Sequence, residues 1–188
     1  MAAMAVQMSF GQVSAKLMRN ADVSETQIAF VYGGDIWIMS KDGGTAHQLT
    51  NSPGEAPWPR FSPDGSELAF SASYNGNTDL YLMPDRGGMP TRVTYNSSDD
   101  RMVEWHPYGE RLLFASKKES GRQSYSQFYL VNKTGGMPEK LPIPYGELAS
   151  FSPDGSQLAY ITKITENYPF KRYRGGLSSD ILLFDRQE

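Results

Sequence analysis

Two histidines, His47 and His106, and no cysteine stand among 188 residues, which narrows the available chemistry at once. Without cysteine there is no disulfide, no thiolate nucleophile and no thiolate zinc site. The sequence has no H-E-x-x-H pair, no G-x-S-x-G elbow and no phosphate-cradling P-loop. His47 falls in an outer strand and reads as a solvated rim residue. His106 follows Trp105 in a turn where related copies have Ser, and reads as structural, because a catalytic histidine needs a positioned partner. Asp64 and Asp154 sit in Pro-Asp-Gly turns, where each is expected to bond its own backbone rather than calcium. No catalytic residue, metal site or cofactor is therefore expected. One group could bind: Lys171, Arg172, Tyr173 and Arg174, inside a long segment from Thr162 to Ser179. Guanidinium groups grip carboxylates bidentately, so this segment is a candidate contact for peptide C-termini or protein partners. The plainer reading is that Tyr168, Phe170 and Tyr173 fasten the segment to its neighbour.

The elements that must position these residues repeat. FSPDGSELAF at Phe61–Phe70 returns as FSPDGSQLAY at Phe151–Tyr160, with a worn copy, WHPYGERLLF, at Trp105–Phe114; the spacings are 44 and 46 residues. In phase run DIWIM at Asp35, DLYLM at Asp79, QFYLV at Gln127 and DILLF at Asp180. A strand-rich period of roughly 40–45 residues is that of a propeller blade. The continuous apolar runs, such as Leu68-Ala69-Phe70 and Leu80-Tyr81-Leu82-Met83, predict strands covered on both faces. The alternating runs His47–Thr50 and Thr91–Thr94 predict half-exposed outer strands. Asn75-Gly76 predicts a tight hairpin. Trp37, Tyr81, Tyr129 and Phe184 are read as one recurring strand position, blade-to-blade core rather than a ligand stack.

The fold class is thus all-β: a β-propeller of about four blades of four-stranded antiparallel sheet, in an incomplete ring. The blades run over approximately 17–52, 53–97, 98–143 and 144–188. The fourth lacks an outer strand, which residues near Val6 to Phe10 could supply. Residues 1–16 form a leader or a truncated signal segment: Val13-Ser14-Ala15 resembles a cleavage site, but no positive charge precedes the apolar part. The net charge of −3, with both signs mixed, gives no footing for nucleic acid. No apolar run approaches the roughly 18 residues that span a bilayer, so no membrane insertion is expected. An open arc leaves its terminal blade faces bare, so self-association is expected.

The Ser-Pro-Asp-Gly hairpin, the D-I-W-I-M strand, the Gly-Gly turn and the Leu-Thr ending together resemble the blades of TolB and of tricorn-type serine peptidases. Two stretches favour the second family. Leu17-Met18-Arg19-Asn20-Ala21-Asp22-Val23-Ser24, followed by IAFVYGGDIWIMS, resembles the opening of tricorn propellers. Tyr168-Pro169-Phe170-Lys171-Arg172-Tyr173-Arg174-Gly175-Gly176 resembles a W-K-x-Y-R-G-G segment of the fourth blade, with Phe170 in place of Trp. The likeness implies four of six blades of a first propeller. It also implies a non-catalytic role, gating or guiding oligopeptides to a serine protease site that this chain does not hold, in the cytoplasm. The alternative is a TolB-like interaction propeller of the periplasm, with protein partners and no enzymatic role.

Overall fold

The computed structural model describes residues 17–51, 54–122, 125–163 and 180–185. Fifteen β-strands form four antiparallel sheets, and no α-helix occurs among the described residues. The first sheet orders β1 (Arg19–Val23), β2 (Gln27–Tyr32), β3 (Asp35–Ser40) and β4 (His47–Gln48). The second comprises β5 (Arg60–Phe61), β6 (Glu67–Ala72), β7 (Asp79–Pro84) and β8 (Thr91–Arg92). The third comprises β9 (Asp100–Trp105), β10 (Arg111–Ser116), β11 (Gln127–Asn132) and β12 (Glu139–Lys140). The fourth has three strands among the described residues: β13 (Leu148–Phe151), β14 (Gln157–Ile161) and β15 (Ile181–Asp185). Each sheet is a meander, and the first strands of successive sheets touch: β1 meets β5, β5 meets β9, and β9 meets β13. The fold is a propeller-like arc with these four strands innermost.

The doubly apolar middle strands explain the stacking. Their side chains alternate between two faces, and each face belongs to a different core. Leu68, Phe70, Tyr81 and Met83 pack with Ala29, Ile36 and Ile38 of the first blade. From the same two strands, Ala69, Leu80 and Leu82 pack with Met102, Leu112, Phe114 and Tyr129 of the third. Leu113, Ala115, Phe128 and Leu130 point the other way, toward Leu158, Tyr160 and Phe184 of the fourth.

The turns behave as their chemistry requires. Gly65 N–H donates to Ser62 O, and Gly155 N–H to Ser152 O, with φ of 73° and 70° at the two glycines. Positive φ is where glycine escapes the clash a Cβ would suffer. The worn copy keeps the same backbone, with Gly109 N–H donating to His106 O.

Two expectations are corrected. Asn75-Gly76 does not make a tight hairpin: β6 ends at Ala72 and β7 begins at Asp79. The connection is held instead by Asn75 donating to the Tyr81 hydroxyl and Asn77 donating to Asp79 and to Asn96 O. Phe184 does not share a position with Trp37, Tyr81 and Tyr129. Cross-strand register pairs Phe30 with Trp37, Phe70 with Tyr81 and Phe114 with Tyr129, but Tyr160 with Leu182. Phe184 lies opposite Leu158, as Met83 lies opposite Leu68. Tyr81 and Tyr129 are buried between blades as expected. Trp37 is only partly buried, because no blade precedes the first among the described residues.

Candidate functional site

The basic group Lys171, Arg172, Tyr173 and Arg174 lies outside the described residues. Its flanks are described: Ile161 pairs with Ile181, at the end of the fourth blade opposite the Pro-Asp-Gly turns. The strand that would pair β15, sought near Val6 to Phe10, also lies outside them.

His47 is exposed on β4. His106 is buried, its ring 5.0 Å from that of Phe151 and 5.1 Å from that of Tyr108. It thus wedges the third blade against the fourth. Asp64 accepts the hydroxyls of Ser62 and Ser66 and the Ser66 N–H, and these hold its pKa at about 2. Asp154 is held at about 2 in the same way by Ser152 and Ser156. Both aspartates belong to their turns, and no cluster of three metal-ligating side chains occurs among the described residues.

The innermost strands bring charged groups together instead. Asp22, Arg60, Glu104 and Ser150 each directly precede an apolar residue, respectively Val23, Phe61, Trp105 and Phe151. Alternation along a strand turns that residue toward the preceding blade, where one is described, and its predecessor toward the following one. Asp22, Arg60 and Glu104 each clasp the next blade, and Ser150 donates back to Glu104. The Asp22 carboxylate accepts the Phe61 N–H at 2.7 Å. Arg60 donates through Nε to Val103 O at 2.9 Å, while Arg60 O accepts the Trp105 indole N–H at 2.9 Å. Glu104 accepts the Phe151 N–H at 2.7 Å and the Ser150 hydroxyl at 3.1 Å. Burial pushes Glu104 above its usual pKa of 4.5, against the pull of these donors and of Arg60, and Asp22 adds to the rise.

Beside these clasps, toward the Pro-Asp-Gly turns, opens a cleft of about 410 Å³. Asp22, Glu25, Arg60 and Glu104 supply its charge, and Phe61, Trp105 and Phe151 its apolar floor. Three carboxylates against one guanidinium make it negative. Such a cleft can receive an extended, hydrogen-bonding chain, and it favours positive over negative groups. Sequence reading passed over all four clasp residues. Their only signal is that they vary (Asp, Arg, Glu, Ser) directly before the apolar residue that leads into each hairpin.

Comparison with known proteins gives a consistent picture. The family model for the tricorn protease N-terminal beta propeller domain matches residues 15–188. A candidate tricorn protease homolog 2 of Streptomyces coelicolor is 31% identical over 185 residues, covering 93% of this chain and 16% of that protein. A candidate tricorn-like protease N-terminal subunit of Sulfurisphaera tokodaii is 26% identical over 168 residues, covering 86% of this chain and 83% of that protein. The chain therefore spans under a fifth of the first relative and most of the second. Among solved structures, the tricorn protease superposes with a TM-score of 0.75 at 25% identity, covering 89% of this chain and 17% of that one. TolB from Acinetobacter baumannii superposes at 0.67 and 23% identity, covering 89% and 41%, a likeness of fold alone.

Proposed function

This chain belongs to the tricorn protease N-terminal β-propeller family, and from that premise we propose that it is a non-catalytic propeller segment that gates or guides oligopeptides toward a serine protease site carried elsewhere. The observation that supports this reading is the axial cleft. Four blades each contribute an innermost strand to it, and its lining offers charge and apolar floor but no nucleophile paired with a base. Groups of this kind attract and orient a passing chain without transforming it. Exposed charge pairs contribute little individually, roughly 0–1 kcal/mol, so passage rather than tight retention is the expected behaviour.

The test is titration of the purified chain with short oligopeptides, at low and high salt, with the peptides then examined by mass spectrometry. The expected result is weak, saturable binding that fades with salt, and peptides recovered intact. Absence of binding to any peptide, or cleavage by the purified chain, overturns the reading.

A further inference from the structure

Two of the three tryptophans are accounted for by the fold. The Trp37 indole N–H donates to Tyr32 O at 3.1 Å, and that of Trp105 donates to Arg60 O at 2.9 Å. Trp58 differs in three respects. Its φ is +62°, a left-handed conformation that bulky L-residues rarely hold. It is only partly buried, at the margin of the core between the second and third blades. Its indole N–H donates to none of the described residues, while the Arg101 guanidinium lies 5.4 Å from its ring centroid. Arg101 in turn donates to the backbone carbonyl and the carboxylate of Glu147.

Trp58 leads into β5, Arg101 lies on β9, and Glu147 directly precedes β13. The three form a line of side chains across three blades, at the end of the innermost strands opposite the acidic cleft. The backbone is irregular at this same end. β1 shifts register between Arg19 and Asp22 around Asn20, the other non-glycine at positive φ. Bulges re-aim side chains beside sites. Strain at a bulky residue persists only where the surroundings impose it, and it gathers at ligand clamps.

We propose that Trp58 reads a side chain of a bound peptide: its indole face stacks an aromatic residue, and its N–H donates to the neighbouring main-chain carbonyl. The proposal rests on the peptide-guiding reading above. Arg101, held by Glu147, forms the wall of this contact. Because Glu147 already neutralises that guanidinium, an acidic side chain gains nothing there, and an aromatic one gains the stack. A stacked nucleic-acid base is disfavoured by the carboxylates along the same strands.

The test follows the three indole N–H resonances of the full ¹⁵N-labelled chain, that of Trp58 being the one lost in Trp58→Phe. A tetrapeptide with a central Phe is compared with the same peptide carrying Gly. The Trp58 signal should shift saturably while that of Trp37, which lies away from the cleft, stays. The Phe peptide should bind about tenfold tighter. Trp58→Leu, which keeps an apolar body, should erase the difference. Equal affinity for the two peptides, or binding that leaves the Trp58 signal in place, overturns this inference and leaves the guiding role standing. No binding of either peptide overturns both. A shift produced by a single-stranded oligonucleotide and by neither peptide assigns the contact to another ligand and overturns both as well.

Discussion

Asp64 and Asp154 show how one side chain can set a turn and titrate with it. Three donors stabilise each charged form, so each carboxyl stays ionised down to about pH 2 instead of its usual 3.8. A depressed pKa gives stability that is present above the usual value and lost as pH falls through the lowered one. Carboxyl-carbon NMR titration should therefore place both midpoints near 2, and Ser62→Ala should bring that of Asp64 back toward 3.8. Glu104 runs in the opposite sense. Burial raises its pKa above 4.5, so the fold favours its protonated form. That contribution is complete below 4.5 and is lost as pH rises through the raised value. Glu104→Gln keeps an acceptor for the Phe151 N–H without the buried charge. Its melting temperature at pH 7 should equal or exceed the parent's, with a flatter pH dependence above 4.5. Glu104→Ala, which orphans the Phe151 N–H, should melt lower. A Gln variant that melts like the Ala variant would show that the charge itself holds the seam.

At the scale of elements, the hairpins tolerate little change in their backbone. Gly65→Val forces a β-branched residue to positive φ, at a cost of roughly 1–3 kcal/mol, with the Ser24 Cβ 3.3 Å from the new Cβ. Gly146→Ala is a different fault. Its Cβ would fall 2.1 Å from Phe128 Cε2, in a fully buried ring, so overpacking should cost roughly 1–3 kcal/mol or more. Thermal melts of both variants check this, and an unchanged midpoint for either would contradict the geometry described. These elements also show what sequence can disclose. The Ser-Pro-Asp-Gly turns were legible because their chemistry is local, completed within six residues from Ser62 to Glu67. The blades were legible because doubly covered strands write continuous apolar runs. The axial clasps were not, because Asp22 reaches Phe61 across 39 residues and Glu104 reaches Phe151 across 47. Phe184 lies two residues beyond Leu182, the position that register equates with Tyr81 and Tyr129, and residue type alone does not encode register. Trp58 carried no signal at all, since nothing in its neighbours spells a left-handed tryptophan.

Taken whole, the described residues form an arc whose first and last blades meet no further described blade. No contact like those between neighbouring inner strands joins β13 to β1 among the described residues. Ile181 and Leu183 on β15 stand 79% and 65% exposed, and Val23 on β1 55%. Apolar faces of this kind mark association. Light scattering on the purified chain should show species larger than a monomer, growing with concentration, and Leu183→Lys should reduce them. A clean monomer at high concentration would mean that these faces are covered within one chain. The clasps at the axis have a consequence for how such an arc is assembled. FSPDGSELAF and FSPDGSQLAY differ at two positions, so the second and fourth blades present almost interchangeable hairpins to a folding chain. Repeat proteins are prone to misassembly for this reason. The three seams, however, ask for different things: an acceptor from Asp22, a donor from Arg60, two acceptors from Glu104. A fourth blade docked against the second would set the Phe151 N–H against the Arg60 guanidinium, donor facing donor, and leave it unsatisfied. The residues at the centre thus act as an address, telling near-identical blades in which order to stand.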